Sequence, residues 1–255
     1  MKLKSILYSL NEISKKYNTS KPFICGGVAR DKFMEKLDNI SDLDITTGDD
    51  SIKILGQEFN IFLKKKFLVK NTIGNDGHLS IFLKDLKIDF SSNFNAPNIE
   101  KLLLSEGIVK PNNMQKEMFS RDFTCNSLLL SINLKHIYDP TGKGIKDINN
   151  KIIRCCTNPE FTFNDISKTR AIRCMYISSK LDFDIDPKII DFLKKNPINF
   201  RLPSQKFTIE KINKSIDLNP DRTIYFLNKT DAWNHIPMTE KLLPYYKGNI
   251  KKTLK

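Results

Sequence analysis

The sequence predicts an α+β protein in which a mixed α/β region over residues 1–150 precedes a helical region over residues 151–255. Before Asp147, short apolar runs such as Phe23-Ile24-Cys25 are punctuated by Gly, Pro and Asn, the pattern of strands between turns. After it such runs disappear, and apolar residues recur every three or four positions, as on amphipathic helices. With 40% hydrophobic and 10% aromatic residues among 255, the chain can build a core, which excludes a wholly disordered protein.

Leu3, Ile6, Leu7, Leu10 and Ile13 share one helical face and predict a helix over residues 3–17. Pro22 ends it, and Phe23-Ile24-Cys25 forms a short buried strand running into Gly26-Gly27. Residues 28–37 return to helical spacing, and residues 43–46 form a second strand. Further strands are predicted over residues 67–69, 79–83 and 86–90, the last two joined by a tight turn at Lys84-Asp85. Residues 93–115 are polar and contain Pro97 and Pro111, which predicts a loop with a short helix at residues 99–104. Residues 123–130 are apolar and suit either helix or strand. Helices follow over residues 167–181, 187–194, 207–216 and 221–227.

Lys and Arg outnumber Asp and Glu by 42 to 29, a formal charge of +13. Such a surplus suits a polyanionic partner, although 35 lysines beside seven arginines also match the codon usage of an AT-rich genome. No apolar run approaches the roughly 18 residues of a membrane span, so no membrane partner is expected. The first residues carry no long apolar core of a secretory signal, and a cytoplasmic protein is expected. Five cysteines without paired spacing suit buried reduced thiols, and three scattered histidines suggest no metal site.

Three short segments carry chemistry. In Gly26-Gly27-Val28-Ala29-Arg30-Asp31, paired glycines at a strand end let the backbone approach a phosphate, which Arg30 is spaced to reach. Asp31 there either caps the helix start or pairs with a nearby Lys. Asp42 and Asp44, two apart on a strand, project on one face, where two carboxylates repel unless a cation such as Mg²⁺ lies between them. Asp89 interrupts an apolar strand: either it faces solvent with Ile88 and Phe90 inward, or it enters the same metal site as a third carboxylate.

The third segment, Ser120-Arg121-Asp122-Phe123-Thr124-Cys125-Asn126-Ser127, completes a resemblance. Together with GGxxRD at Gly26 and DxD at Asp42, it is similar to the RRDFTxNA motif of the class II tRNA nucleotidyltransferase and bacterial poly(A) polymerase family, within the DNA polymerase β-like superfamily. A turn at Tyr138-Asp139-Pro140-Thr141-Gly142, then Asp147 and Ile152-Ile153-Arg154, match further motifs, and the resemblance spans residues 20–215. It implies a polymerase β-like nucleotidyltransferase head, with a mixed sheet flanked by helices, followed by an all-helical neck and short body that bind RNA. It also implies template-independent addition of C and A to tRNA 3′ ends from CTP and ATP. Asp42 and Asp44 would hold two Mg²⁺, with Asp89 as third acid. Gly26, Gly27 and Arg30 would contact the triphosphate, and Arg121, Asp122 and Asn126 the nucleotide sugar and phosphates.

In that family an EDxxR helix reads the base. The nearest match is Asn164-Asp165-Ile166-Ser167-Lys168, followed by Arg170 and Arg173, with Lys where the family has the forked Arg. Asp165, Lys168, Arg170 and Arg173 are therefore candidate nucleotide-binding residues, the arginines alternatively lining a solvated or RNA-facing side. Ser204–Glu210 resembles a further family helix, with Lys206 and Glu210 spaced to pair. Trp233, Tyr245 and Tyr246 suit either base stacking or a core, and four lysines in residues 247–255 suit an RNA-facing tail or a solvated end. An A-only adding enzyme or poly(A) polymerase is the alternative activity, and a non-catalytic RNA-binding relative the alternative class.

Overall fold

The structure is a computed structural model that describes residues 3–37, 40–74 and 78–246. It divides into two units, Met1–Lys146 and Asp147–Lys255. In the first unit the elements run α1 (Leu3–Lys16), β1 (Phe23–Cys25), α2 (Gly27–Phe33), β2 (Asp42–Thr46), α3 (Ser51–Lys64), β3 (Lys70–Ile73), β4 (Leu79–Phe82), β5 (Lys87–Phe90), α4 (Ile99–Ser105), α5 (Asn113–Phe119), β6 (Leu129–Ser131), β7 (Ile137–Tyr138) and the start of α6 (Gly144–Asn149).

Seven strands form one mixed sheet in the order β3-β4-β5-β2-β1-β6-β7. The β2–β5 pair is parallel and the others antiparallel. Strand periodicity sorts the two faces. Leu43, Ile45, Ile88 and Phe90 are buried on one face, under α3, whose Phe59 ring lies 5.8 Å from that of Phe90. Asp42, Asp44, Lys87 and Asp89 alternate with them and so occupy the other face, where the parallel register sets Asp42 beside Lys87 and Asp44 beside Asp89. Over the β1–β6 part of that second face, Met118 of α5 packs with Cys25 and Leu129.

Several boundaries differ from the sequence expectation. The strand expected at residues 67–69 begins at Lys70, because the Phe67 N–H closes onto the Leu63 carbonyl and ends α3, leaving Leu68 95% exposed. Helix α2 stops at Phe33, where Glu35 adopts a left-handed φ of 58°. Residues 123–130 split between a single 3₁₀ turn at Thr124–Asn126 and β6. Helices α3, α5 and α6 add to the expected list in this part of the chain.

The second unit holds β8 (Ile152–Ile153), a π-helical turn at Phe161–Ile166, α7 (Arg170–Leu181), β9 (Asp184–Ile185), α8 (Pro187–Lys195), α9 (Ile198–Arg201), α10 (Gln205–Leu218) and α11 (Pro220–Lys229). It is helical apart from the two-residue parallel β8–β9 pair. Arg154 braces that pair by bonding Asp186 at 2.6 Å and Asp147 at 3.2 Å. Ser167 is extended, so α7 starts at Arg170, three residues later than expected. Among the described residues, no helix is long and apolar enough to cross a membrane.

Candidate active site

The centre of the sheet's open face is acidic. Asp42, Asp44 and Asp89 each offer a carboxylate oxygen, and these atoms lie within 4.8 Å of one another. The register explains this: β2 and β5 run parallel and in step, so the alternation that buries Leu43 and Ile88 aims all three acids the same way. Asp89 is thus the third acid of the cluster rather than a solvent-facing residue. Three hard oxygen donors in a partly exposed setting fit a divalent metal ion.

Sequence reasoning assigned no role to Lys87 and Ser80, yet both address Asp89. The Lys87 ammonium and the Ser80 hydroxyl donate to its two carboxylate oxygens. Burial opposes the charge on Lys87, but the bond to Asp89 and the charges of Asp89, Asp42 and Asp44 outweigh it and raise its pKa. Lys87 is therefore a counter-cation within the acidic cluster. Strand alternation carried this signal, since Lys87 and Asp89 are two apart.

The glycine turn borders the acids. Gly26 has φ 71°, a left-handed conformation that side chains disfavour, and a Cβ there would lie 2.5 Å from Asp44 Oδ2. No other residue fits without moving Asp44. Arg30 is 3% exposed, bonds Asp31 at 2.7 Å and donates from Nη1 to Asn126 at 2.6 Å, with its Nη2 3.4 Å from where a Gly27 Cβ would stand. Asn126 donates in turn to Asp122 at 3.1 Å, and Asp122 accepts from the Phe123 N–H. Arg30, Asp122 and Asn126 thus form a buried chain of hydrogen bonds that ties α2 to the 3₁₀ turn. Asp31 is its outer end, so it pairs with Arg30 rather than with a lysine.

Arg121 also borders the turn, its Nη1 3.6 Å from where a Gly26 Cβ would stand. It donates to Glu117 at 3.1 Å and to the Cys25 sulfur at 2.7 Å. Glu117, fully buried, also accepts from Ser92 and the Asn93 N–H. Burial pushes the Cys25 thiol pKa well up, against the opposing pull of Arg121, so the sulfur stays neutral. Glu117 is the third residue missed by sequence reasoning. Its signal was the four-residue spacing to Arg121, together with the Asn112/Gln115 capping box that starts α5.

A family model described as the poly A polymerase head domain matches residues 22–154, more than half the chain and all of the residues just described from Cys25 to Asn126. The chain belongs to the poly A polymerase head domain family. Among curated relatives, it is 36% identical over 102 residues to the tRNA nucleotidyltransferase cca1 of Schizosaccharomyces pombe, covering 40% of this chain and 20% of that one. It is 26% identical over 228 residues to a CCA-adding enzyme of Staphylococcus aureus, covering 88% of this chain and 53% of that one. The chain thus spans about half the length of the Staphylococcus relative and a fifth of the yeast one.

Solved structures share the fold. The Bacillus stearothermophilus CCA-adding enzyme in complex with CTP superposes with a TM-score of 0.69 at 20% identity, covering 93% of this chain and 55% of that one. The Thermotoga maritima CCA-adding enzyme complexed with tRNA gives 0.67 at 21%, covering 91% and 51%.

The four candidates beyond the family head lie in the second unit and differ in setting. Asp165 and Lys168 are exposed, on either side of the extended Ser167, so the helical presentation expected of them is broken. Arg170 is 7% exposed, its Nη1 3.4 Å from the Thr162 carbonyl oxygen, whereas Arg173 is half-buried one turn further along α7.

Proposed function

We propose that the protein is a template-independent RNA nucleotidyltransferase that adds C and A to tRNA 3′ ends, using CTP, ATP and Mg²⁺. The observation that carries this reading is the convergence of Asp42, Asp44 and Asp89 within 4.8 Å beside the Gly26-Gly27 turn. The curated relatives named as CCA-adding and tRNA nucleotidyltransferase support it, and so do the fold neighbours described with CTP and tRNA.

In the reaction the 3′ hydroxyl oxygen of the RNA bonds to the α-phosphorus of the nucleoside triphosphate. The bond from that phosphorus to the β-phosphate oxygen breaks, and pyrophosphate leaves. Asp42 and Asp44 would hold Mg²⁺, which would supply charge neutralisation for the developing negative charge. The chain's own groups position the reactants. Gly26 and Gly27 let the backbone come close to the triphosphate, and the Arg30–Asn126–Asp122 chain holds that turn rigid. Arg121, fixed by Glu117, adds positive charge beside Asp44. Asp89 completes the metal site or accepts the proton of the attacking hydroxyl. A purely RNA-binding relative is disfavoured, because three clustered carboxylates weaken phosphate binding unless a metal offsets them.

A-only addition is the second reading, favoured by the break at Ser167 between Asp165 and Lys168. The test is to incubate the chain with Mg²⁺, each labelled nucleoside triphosphate and tRNA transcripts ending before, within and at CCA. C and A incorporation that stops at CCA supports the first reading, and A-only extension supports the second. Retention of RNA with no incorporation of any nucleotide rejects both.

A further inference from the structure

The sheet register builds a cation into the acidic cluster. Strand β5 lies between β4 and β2, so Lys87 has Asp42 directly across on one side and Phe82 on the other. Alternation carries its side chain to the face shared by Asp42, Asp44 and Asp89. There the Lys87 ammonium donates to one carboxylate oxygen of Asp89, and the Ser80 hydroxyl donates to the other. The Lys87 side chain is 38% exposed and that of Asp89 21%, so the ion pair has solvent on one flank.

A lysine in this position does part of what a bound cation does. Carboxylate oxygens within 4.8 Å of one another repel, and an ammonium among them offsets one of their three negative charges. The two donors to Asp89 differ in what they demand of a metal. A carboxylate oxygen has two lone pairs, so the Ser80 hydroxyl can stay while the same oxygen also binds an ion. The ammonium is a second positive charge on its oxygen, and it repels a divalent ion held about 2.0–2.1 Å from such an oxygen. Its flexible four-carbon stem lets it leave without moving the strand. We propose that Lys87 is the resident cation of the cluster, holding Asp89 before a metal binds and competing with the divalent ion for that carboxylate. This rests on the metal-binding part of the reading above and adds a positioning residue that sets metal affinity.

The test measures Mn²⁺ binding by electron paramagnetic resonance of the free ion, and Tm in EDTA and in Mg²⁺, for the full chain, Lys87→Gln and Lys87→Arg. Nucleotide transfer by the unsubstituted chain is assayed in parallel. Gln keeps a hydrogen-bond donor for Asp89 and loses the charge, and Lys87→Met serves if circular dichroism shows Lys87→Gln to be unfolded. A unit charge a few ångströms from a divalent ion changes affinity about 10-fold even under water-like screening. The proposal therefore predicts that Lys87→Gln lowers Tm in EDTA, binds Mn²⁺ about 10-fold more tightly and gains a larger Tm rise on adding Mg²⁺. Lys87→Arg should stay near the unsubstituted chain. The gain requires Asp89, so Lys87→Gln/Asp89→Asn should bind Mn²⁺ no more tightly than Asp89→Asn alone. Unchanged or weaker Mn²⁺ binding by the folded variant overturns the competition, and if the unsubstituted chain still transfers nucleotides, the functional reading survives. An equal loss of Tm with and without Mg²⁺ likewise overturns it in favour of a purely structural ion pair. Tighter Mn²⁺ binding by Lys87→Gln, when the unsubstituted chain transfers nothing, supports the competition and rejects the enzymatic reading.

Discussion

At the scale of residues, the site is built from groups that constrain one another. Gly26 is the sharpest case, since its left-handed φ and its contact with Asp44 both exclude a side chain. Gly26→Ala is expected to cost about 1–2 kcal/mol of stability for the conformation alone and to lower kcat at least ~10-fold by displacing Asp44. Gly27→Ala, whose Cβ would meet only Arg30 Nη2 at 3.4 Å, should be milder in both. Thermal melts and steady-state kinetics on the two variants check this, and equal losses would contradict it. Glu117→Ala removes the buried carboxylate from Arg121 and is expected to destabilise the chain by about 3 kcal/mol, read by urea titration. Glu117→Asp should recover part of that loss.

At the scale of elements, α3 depends on the residue two before its start. Asp49 accepts bonds from Thr47, Ser20 and the backbone and side chain of Ser51. Its burial raises the pKa, but these bonds overcome that and leave it lowered. A lowered carboxylate pKa stabilises the fold above its unfolded value near pH 4 and loses that contribution as pH falls through the folded value. Asp49→Ala should therefore lower Tm clearly at pH 7, with the gap to the unsubstituted chain narrowing below about pH 4. A constant gap from pH 7 to pH 3 would contradict the assignment.

The elements also show what was legible in the sequence. Period-two alternation exposed β2 and β5, and with them the shared face of Asp42 and Asp44. Helix α3 was not visible because Ile54, Ile61 and Phe62 add apolar residues outside its buried stripe of Ile52, Leu55, Phe59 and Leu63, and Gly56 sits in its middle. Gly56 is there because a Cβ would lie 3.1 Å from Phe90 and Leu79, a packing reason that only the sheet reveals. Arg30 was read as a phosphate contact from its distance to the glycines. That it also bonds Asn126, 96 residues away, is a long-range pairing that local spacing does not encode. Lys87 and Glu117 were within reach, one by alternation and the other by helical spacing.

For the whole molecule, the +13 charge and the acidic cluster belong to one account. On the proposed reading, a basic chain would attract RNA, and the three acids would concentrate a divalent metal at the point where phosphate is transferred. Metal binding to the folded chain stabilises it by about 2.7 kcal/mol at 100 times Kd. Adding Mg²⁺ to the EDTA-treated chain should raise Tm by several degrees, and Asp44→Ala should abolish the shift. A shift of the same size in that variant would place the metal elsewhere. The lysine-rich residues 247–255, read in the sequence as an RNA-facing tail or a solvated end, lie outside the described residues.

The central claim is that Asp42, Asp44 and Asp89 support transfer of a nucleotide to an RNA 3′ end. The most direct measurement follows α-labelled CTP and then ATP onto a tRNA ending before CCA, with pyrophosphate quantified in the same reaction, for the unsubstituted chain and Asp44→Ala. The account predicts one pyrophosphate per nucleotide added and a rate about 10³-fold lower in the variant, as loss of several kcal/mol of transition-state stabilisation requires. Equal rates in the two proteins, or no label in RNA that the unsubstituted chain nonetheless binds, would contradict it.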